Sequence, residues 1–316
     1  MRNYADKVNL HARIHALKGR LLSPGDYASM IRAQQANSLK LSTASDLITA
    51  KESIFREQIA PAIGFAEAYG QYAPLFLAYL RQFEVHNFKI LLAKAAELES
   101  EELWYDISPF AILEKDLLAK KLSPAEIRTI IAGTYLDEDF KDTSSYRQME
   151  IHADICMARN LYQSAQFLSG EAKKDFYNLM QRRIAVLTVI WSYRLKEYYH
   201  FSEEKIRFYL QRFHSLFDGY AKFHFRIIEK AQNRQLEQLH KEGGGEPSIT
   251  DIERYLEQNY FAWVSSMFHR DFHSIYSVLG YLWLLYYQIR NLFRIIDGRR
   301  FGFSADAILD KLTLEA

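Results

Sequence analysis

The sequence predicts an all-α protein, and three observations predict it. Apolar residues recur at three- and four-residue spacing in one segment after another, the period of helices buried on one or more faces. Helix-start signatures, an apolar residue followed by Ser, return at Ser23, Ser123, Ser202 and Ser304. No credible strand run is found, and Gly and Pro, 13 and 6 in 316 residues, are few, as suits long helices.

In order along the chain, Leu22-Ser23-Pro24-Gly25-Asp26-Tyr27 opens the first clear helix. Pro24 falls at N1, where a missing N–H costs nothing, and Asp26 falls at N3, completing a capping box. Ser45 to Tyr69 reads as helical, with Pro61 marking a kink or break. Tyr72 to Ala96 is a core helix, and residues 97–110 are acidic and then loop-like. Leu122-Ser123-Pro124-Ala125-Glu126-Ile127 repeats the capping box and starts a short helix to Ala132. Asp137 to Asp142 is an acidic connector. Tyr146 to Ser169 is helical with Gly170 at its C′ position, and Glu171 to Tyr199 is a middle core helix. Phe201-Ser202-Glu203-Glu204 opens a basic and aromatic helical region to Leu239, followed by a Gly-rich loop from Lys241 to Ser248. Thr250-Asp251-Ile252-Glu253 reads as a further capping box, and Phe303-Ser304-Ala305-Asp306 starts the last helix. Glu203, Glu204 and Asp306 place negative charge at the positive end of a helix dipole.

One stretch occurs twice. Phe83-Glu84-Val85-His86-Asn87-Phe88-Lys89-Ile90-Leu91-Leu92 returns as Tyr287-Gln288-Ile289-Arg290-Asn291-Leu292-Phe293-Arg294-Ile295-Ile296. Both run aromatic, polar, β-branched, basic, Asn, apolar. The first carries Phe83, Asn87, Ile90 and Leu91 on one face and Val85, Phe88 and Leu92 on a second. A helix apolar over most of its girth belongs inside a bundle. An Asn within it needs a partner, since an unpaired buried amide costs roughly 1–3 kcal/mol.

The four Ser helix starts are 100, 79 and 102 residues apart, which suggests three units of ordinary domain size. In the middle unit Thr188 stands where Asn291 stands in the last, with one residue inserted in the turn. Asn9 to Ser23 corresponds in turn to Asn291 to Ser304. The expectation that follows is a closed arrangement, with the N-terminal helix lying near the C-terminal core helix.

Composition excludes several classes. Lys plus Arg is 40 against 39 acids, so the composition gives no basic footprint for nucleic acid and leaves room only for a local patch. Cys156 is the single cysteine, which rules out an intramolecular disulfide. The most apolar run, Tyr276 to Tyr287, is twelve residues, against the ~20 a bilayer span needs.

Candidate chemistry is sparse. His11 with His15, and His269 with His273, are spaced to share a helix face, as a metal site requires. Neither pair has the adjacent Glu of the zinc-protease helix, and a solvated or core-edge histidine is the expectation. Asp139 and Asp142 are three apart in the acidic connector, a spacing used with magnesium and diphosphate by all-α prenyl-transferring enzymes, which however need two such motifs. Gly243 to Gly245 lacks the Lys-Ser/Thr ending of a phosphate loop. Cys156 sits in an apolar helix and reads as a buried thiol. No nucleophile–base arrangement is evident.

Three segments carry a family resemblance: Lys18-Gly19-Arg20-Leu21-Leu22-Ser23-Pro24-Gly25-Asp26-Tyr27, the Phe83 to Leu91 helix, and Tyr281-Leu282-Trp283 followed by Ile289 to Ile296. In these the chain resembles the C-type stalk component of the archaeal and bacterial V-type (A-type) rotary ATPases, related to the d-type component of the eukaryotic V-ATPase. It departs from the family pattern at Thr188, at the aromatic Trp191 and Phe293, and in the Tyr- and His-rich region 193–225. The resemblance implies three similar helical domains, 1–100, 101–200 and 201–316, arranged as a funnel around a pseudo-threefold axis. It implies a non-catalytic central-stalk subunit, without cofactor or metal. Its partners would be the rotor axle subunits and the membrane proteolipid ring, and its place the cytoplasmic side, peripheral to the membrane and not inserted. His86, Asn87, Arg290 and Asn291 are then structural candidates that set helix register. Two alternatives stand beside it: a magnesium-dependent enzyme of the prenyl-diphosphate class using Asp139 and Asp142, and a helical scaffold for another partner.

Overall fold

The computed structural model describes residues 2–36, 44–98, 103–137, 146–215, 237 and 248–314. Among them the helices are α1 Arg2–Lys18, α2 Pro24–Ala36, α3 Ala44–Ala68, α4 Ala73–Ala95, α5 Pro124–Ile131, α6 Tyr146–Gln163 and α7 Gly170–Glu197. There follow α8 Glu203–Ser215, α9 Ile249–Phe268, α10 Ile275–Arg300 and α11 Ala305–Asp310, with a 3-10 turn at Lys115–Ala119. No strand occurs among the described residues, so the all-α class holds. No helix among them is long and apolar enough to cross a membrane.

Local chemistry starts the helices where the sequence places them. Ser23 Oγ accepts the Asp26 N–H at 3.2 Å while Asp26 accepts the Ser23 N–H at 2.8 Å. Ser123 and Glu126 form the same reciprocal pair. Both carboxyls are held below their usual range by the bonds from Ser. Ser202 accepts the Lys205 N–H and Ser304 the Ala307 N–H. Two boundaries differ from expectation. The cap of α9 is Ser248, whose Oγ accepts the Asp251 N–H, not Thr250. The two signatures overlap by two residues, and spacing alone does not choose between them. Gly170 does not end α6, which stops at Gln163. It opens α7 instead, at φ +56°, a left-handed conformation that Gly adopts without Cβ strain. α3 runs on through Pro61 without ending. Of the expected helical region 202–239, the part beyond Ser215 lies outside the described residues, save 237, as do residues 241–247 of the expected loop.

The chain gathers into two compact units. One comprises 29–167 and 288–308, the other 1–28, 168–287 and 309–316, so that α10 contributes its first half to one and its second half to the other.

In the unit holding 29–167, α4 packs against α3 and α6 and is buried nearly all round. Val85, Phe88, Leu91 and Leu92 form its core with Trp104, Leu113, Ile127, Ile131, Leu136, Met149 and Ala153. Each Val, Leu, Ile, Phe or Met side chain among them contributes about 1.5–3 kcal/mol on removal from water. The second half of α10 fits the face of α3 left by Leu47, Lys51, Phe55 and Ile59. There Lys51, buried in an otherwise apolar stripe, reaches Asp297 at 2.8 Å and lies over the Phe293 ring. At the far end, α11 crosses so closely over Gly298 that a Cβ there would stand 2.7 Å from Ile308 Cγ1.

In the other unit α7 packs on α9, and α8 folds back on α7. Arg194 grips Glu253 with two bonds of 2.5 and 2.8 Å. α1 buries Leu10, His11 and Ile14, and His11 reaches Ser277 in the first turn of α10. The N-terminal helix and the last core helix are therefore neighbours, as the sequence leads one to expect.

The three long core helices end alike. Each passes into a left-handed residue, Glu97 after α4, His200 after α7 and Gly302 after α10. The N–H that follows returns to a carbonyl of the last turns: Leu98 to Ala93, Phe201 to Leu195 and Phe303 to Gly298. A buried polar residue, Asn87, Thr188 or Asn291, precedes that ending by ten, twelve or eleven positions respectively.

Candidate functional site

Asn87 sits in the buried face of α4, where a primary amide must find both a donor and an acceptor. It finds them in one residue. Its Nδ2 donates to the Tyr105 carbonyl and its Oδ1 accepts the Tyr105 N–H, both at 2.8 Å. The amide thus imitates a strand partner for one residue of the connector that crosses α3 and α4.

The rest of that connector is held in the same way. Glu52 on α3 accepts the Trp104 N–H at 3.1 Å and the Lys115 ammonium at 2.7 Å. Glu84, one turn before Asn87, accepts the N–H groups of Ile112 and Leu113 and the Tyr135 hydroxyl. Burial pushes the Glu84 carboxyl up, and the two N–H bonds, the hydroxyl and the nearby Arg81 pull against it. Burial, then the Glu84 charge, push Tyr135 well up as well. Three helix side chains therefore supply the bonds that a buried loop cannot make with itself.

Tyr105 is also where the two copies of the repeated stretch meet. Its ring stands edge-on to Phe55 at 4.9 Å, beside Phe83 and His86 at 5.6 Å, and 6.3 Å from Phe293 of α10. Gln288 donates to Gln58 at 2.5 Å nearby on α3. Of the four candidates, Asn87 and Asn291 are buried, Arg290 is half-buried and His86 is exposed against the Tyr105 ring.

A second polar centre lies in the other unit. Arg183 of α7 and Glu257 of α9 pair at 2.7 Å, both buried, and Tyr287 of α10 donates to the same carboxylate. The guanidinium also faces the rings of Trp283 at 4.8 Å and Tyr260 at 5.3 Å. Burial alone would lower the Arg183 value, but Glu257 and Tyr287 hold it raised. Sequence reading missed this centre. Its signal is a charged residue at a core position of a helix, Arg183 between Met180 and Ile184, which demands a partner that spacing does not name.

Cys156 is buried, with Sγ 3.9 Å from the Leu136 carbonyl. Asp139 and Asp142 lie outside the described residues. The two histidine pairs are brought against each other, yet no grouping of three His, Cys, Asp or Glu among the described residues is suited to a metal ion. A cleft of about 560 Å³ between α7 and α8 is walled by Val189, Tyr193, Lys196, Ile206, Arg207 and Leu210, and its lining holds no imidazole or thiol. What the polar side chains do is hold helices and a connector in register.

No curated protein matches the sequence significantly. Residues 66–311, which take in α4, α7 and α10 whole, match the model of the ATP synthase (C/AC39) subunit family, and the chain belongs to that family.

Proposed function

We propose that the chain is a non-catalytic central-stalk subunit of a V/A-type rotary ATPase. It joins the rotor axle to the membrane proteolipid ring and carries twist between ATP hydrolysis or synthesis and proton or sodium transport. It sits on the cytoplasmic face, peripheral to the membrane. The observation that carries this reading is the family match running through all three long core helices. Two further features support it. The shared left-handed endings and buried polar residues of α4, α7 and α10 suit one helical module used three times around a pseudo-threefold axis. Torque transfer also needs a body that resists shear. Asn87 with Tyr105, and Arg183 with Glu257, fix helix register at points where sliding would strand buried polar groups. Asn291 and Arg290 are assigned the same register-setting role on α10, and His86 on α4.

The test is isolation of the tagged chain from detergent-solubilised membranes of its own cells. The catalytic subunits, axle and proteolipid ring should come down with it in fixed proportion. Recovery of the tagged chain alone, under conditions that keep the rest of the complex whole, overturns the assignment.

A further inference from the structure

Four imidazoles converge where α1 meets the turn between α9 and α10. His11 stands edge-on to His273, ring centroids 5.6 Å apart, with its Nδ1 2.7 Å from Ser277 Oγ. One helical turn on, His15 stacks on Phe272 at 4.1 Å and leans on Phe268 at 4.6 Å. The His15 Nε2 is sealed from solvent and has no hydrogen-bond partner. His269, at the end of α9, acts on His15 electrostatically, as do His273 and Lys18. The carboxylates nearby are engaged. Asp271 accepts the His273 N–H at 3.0 Å within the turn, and Asp175 of α7 stands with Arg270 and Tyr276.

A proton arriving at Nε2 of His15 therefore places an N–H where no acceptor waits, beside two further imidazoles and an ammonium. Imidazole is the side chain that gains charge between pH 8 and 5. We propose that His15 in this cluster is an acid-released latch: as a neutral ring it holds α1 against the α9–α10 turn, and its protonation frees the helix.

The direction follows from burial. Burial lowers His15 below its ordinary value, the hydrogen bond with the Phe272 backbone opposes this, and His269, His273 and Lys18 lower it further. A histidine whose folded value lies below its unfolded one stabilises fully above the unfolded value, near pH 6.5. That stabilisation falls as pH drops from there through the folded value.

The experiment is hydrogen–deuterium exchange of the full chain at pH 7.5 and 5.5, corrected for intrinsic rates. Protection across α1 should fall roughly tenfold on acidification while α4 keeps its own. His15→Phe retains the stack on Phe272 without a titrating group, and His15→Leu serves if that variant does not fold. In either, the α1 step should shrink below about threefold. Equal α1 protection at the two pH values overturns the latch. So does a step that persists undiminished in the folded variants, or an equal loss of protection in α4.

Discussion

Glu257→Ala lowers the unfolding free energy by about 3–5 kcal/mol, the cost of leaving a buried guanidinium without its carboxylate. Arg183 is enclosed by Tyr260, Trp283 and the carboxylate, all among helices α7, α9 and α10, so water cannot readily take Glu257's place. Tyr287 loses its acceptor in the same step, which adds to the deficit. Replacing the whole centre should behave differently. Arg183→Met, Glu257→Leu and Tyr287→Phe together remove the charges and the hydroxyl, leaving apolar groups of similar size. The triple variant should regain most of the loss, because the desolvation penalty disappears with the ions. Urea midpoints followed by circular dichroism check both. A single variant as stable as the parent would show that the pair is not closed off from solvent.

Asn87→Ala lowers stability by about 2–4 kcal/mol, since it strands both the N–H and the carbonyl of Tyr105 under α4. Asn87→Asp should lose as much or more. It keeps the acceptor, discards the donor and places a carboxylate in a core face next to Glu84. The loss should be local before it is global. Amide exchange at Trp104, Tyr105 and Asp106 should quicken more than exchange within α4. Exchange that quickens evenly across the unit would mean that Asn87 acts through general packing, not as a clamp on the connector.

These two centres differ in how far the sequence discloses them. Asn87 announces itself, because an amide recurs within two matching apolar helices. Its partner does not, because the partner is backbone and backbone has no signature. Arg183 and Glu257 are 74 residues apart, and helical periodicity says nothing about which distant charges meet. The capping boxes at Ser23 and Ser123 were legible because all their parts lie within four residues. Ser248 and Thr250 compete for one helix start with overlapping boxes, and only the path of the chain before Ile249 decides between them. Gly170 looks like a helix stop because glycine permits a left-handed residue at either end of a helix. The histidine pairs were visible as i, i+4 spacings, but the meeting of α1 with the α9–α10 turn joins segments more than 250 positions apart.

The all-α class was open to sequence reasoning because it rests on period and capping. Family membership was open to it because the Asn-bearing core helices keep their motifs in order, although the middle one carries Thr188. The shared endings of the core helices were harder to see. Glu97, His200 and Gly302 have nothing in common as side chains, and only backbone geometry unites them.

The proposed role is mechanical: ATP turnover in the catalytic head would reach the membrane ring through this chain. Membranes from cells lacking the chain should still hydrolyse ATP in whatever head is assembled, yet build no ATP-driven ion gradient. Adding back the purified chain should restore the gradient. An undiminished ATP-driven gradient in membranes without the chain would contradict the account.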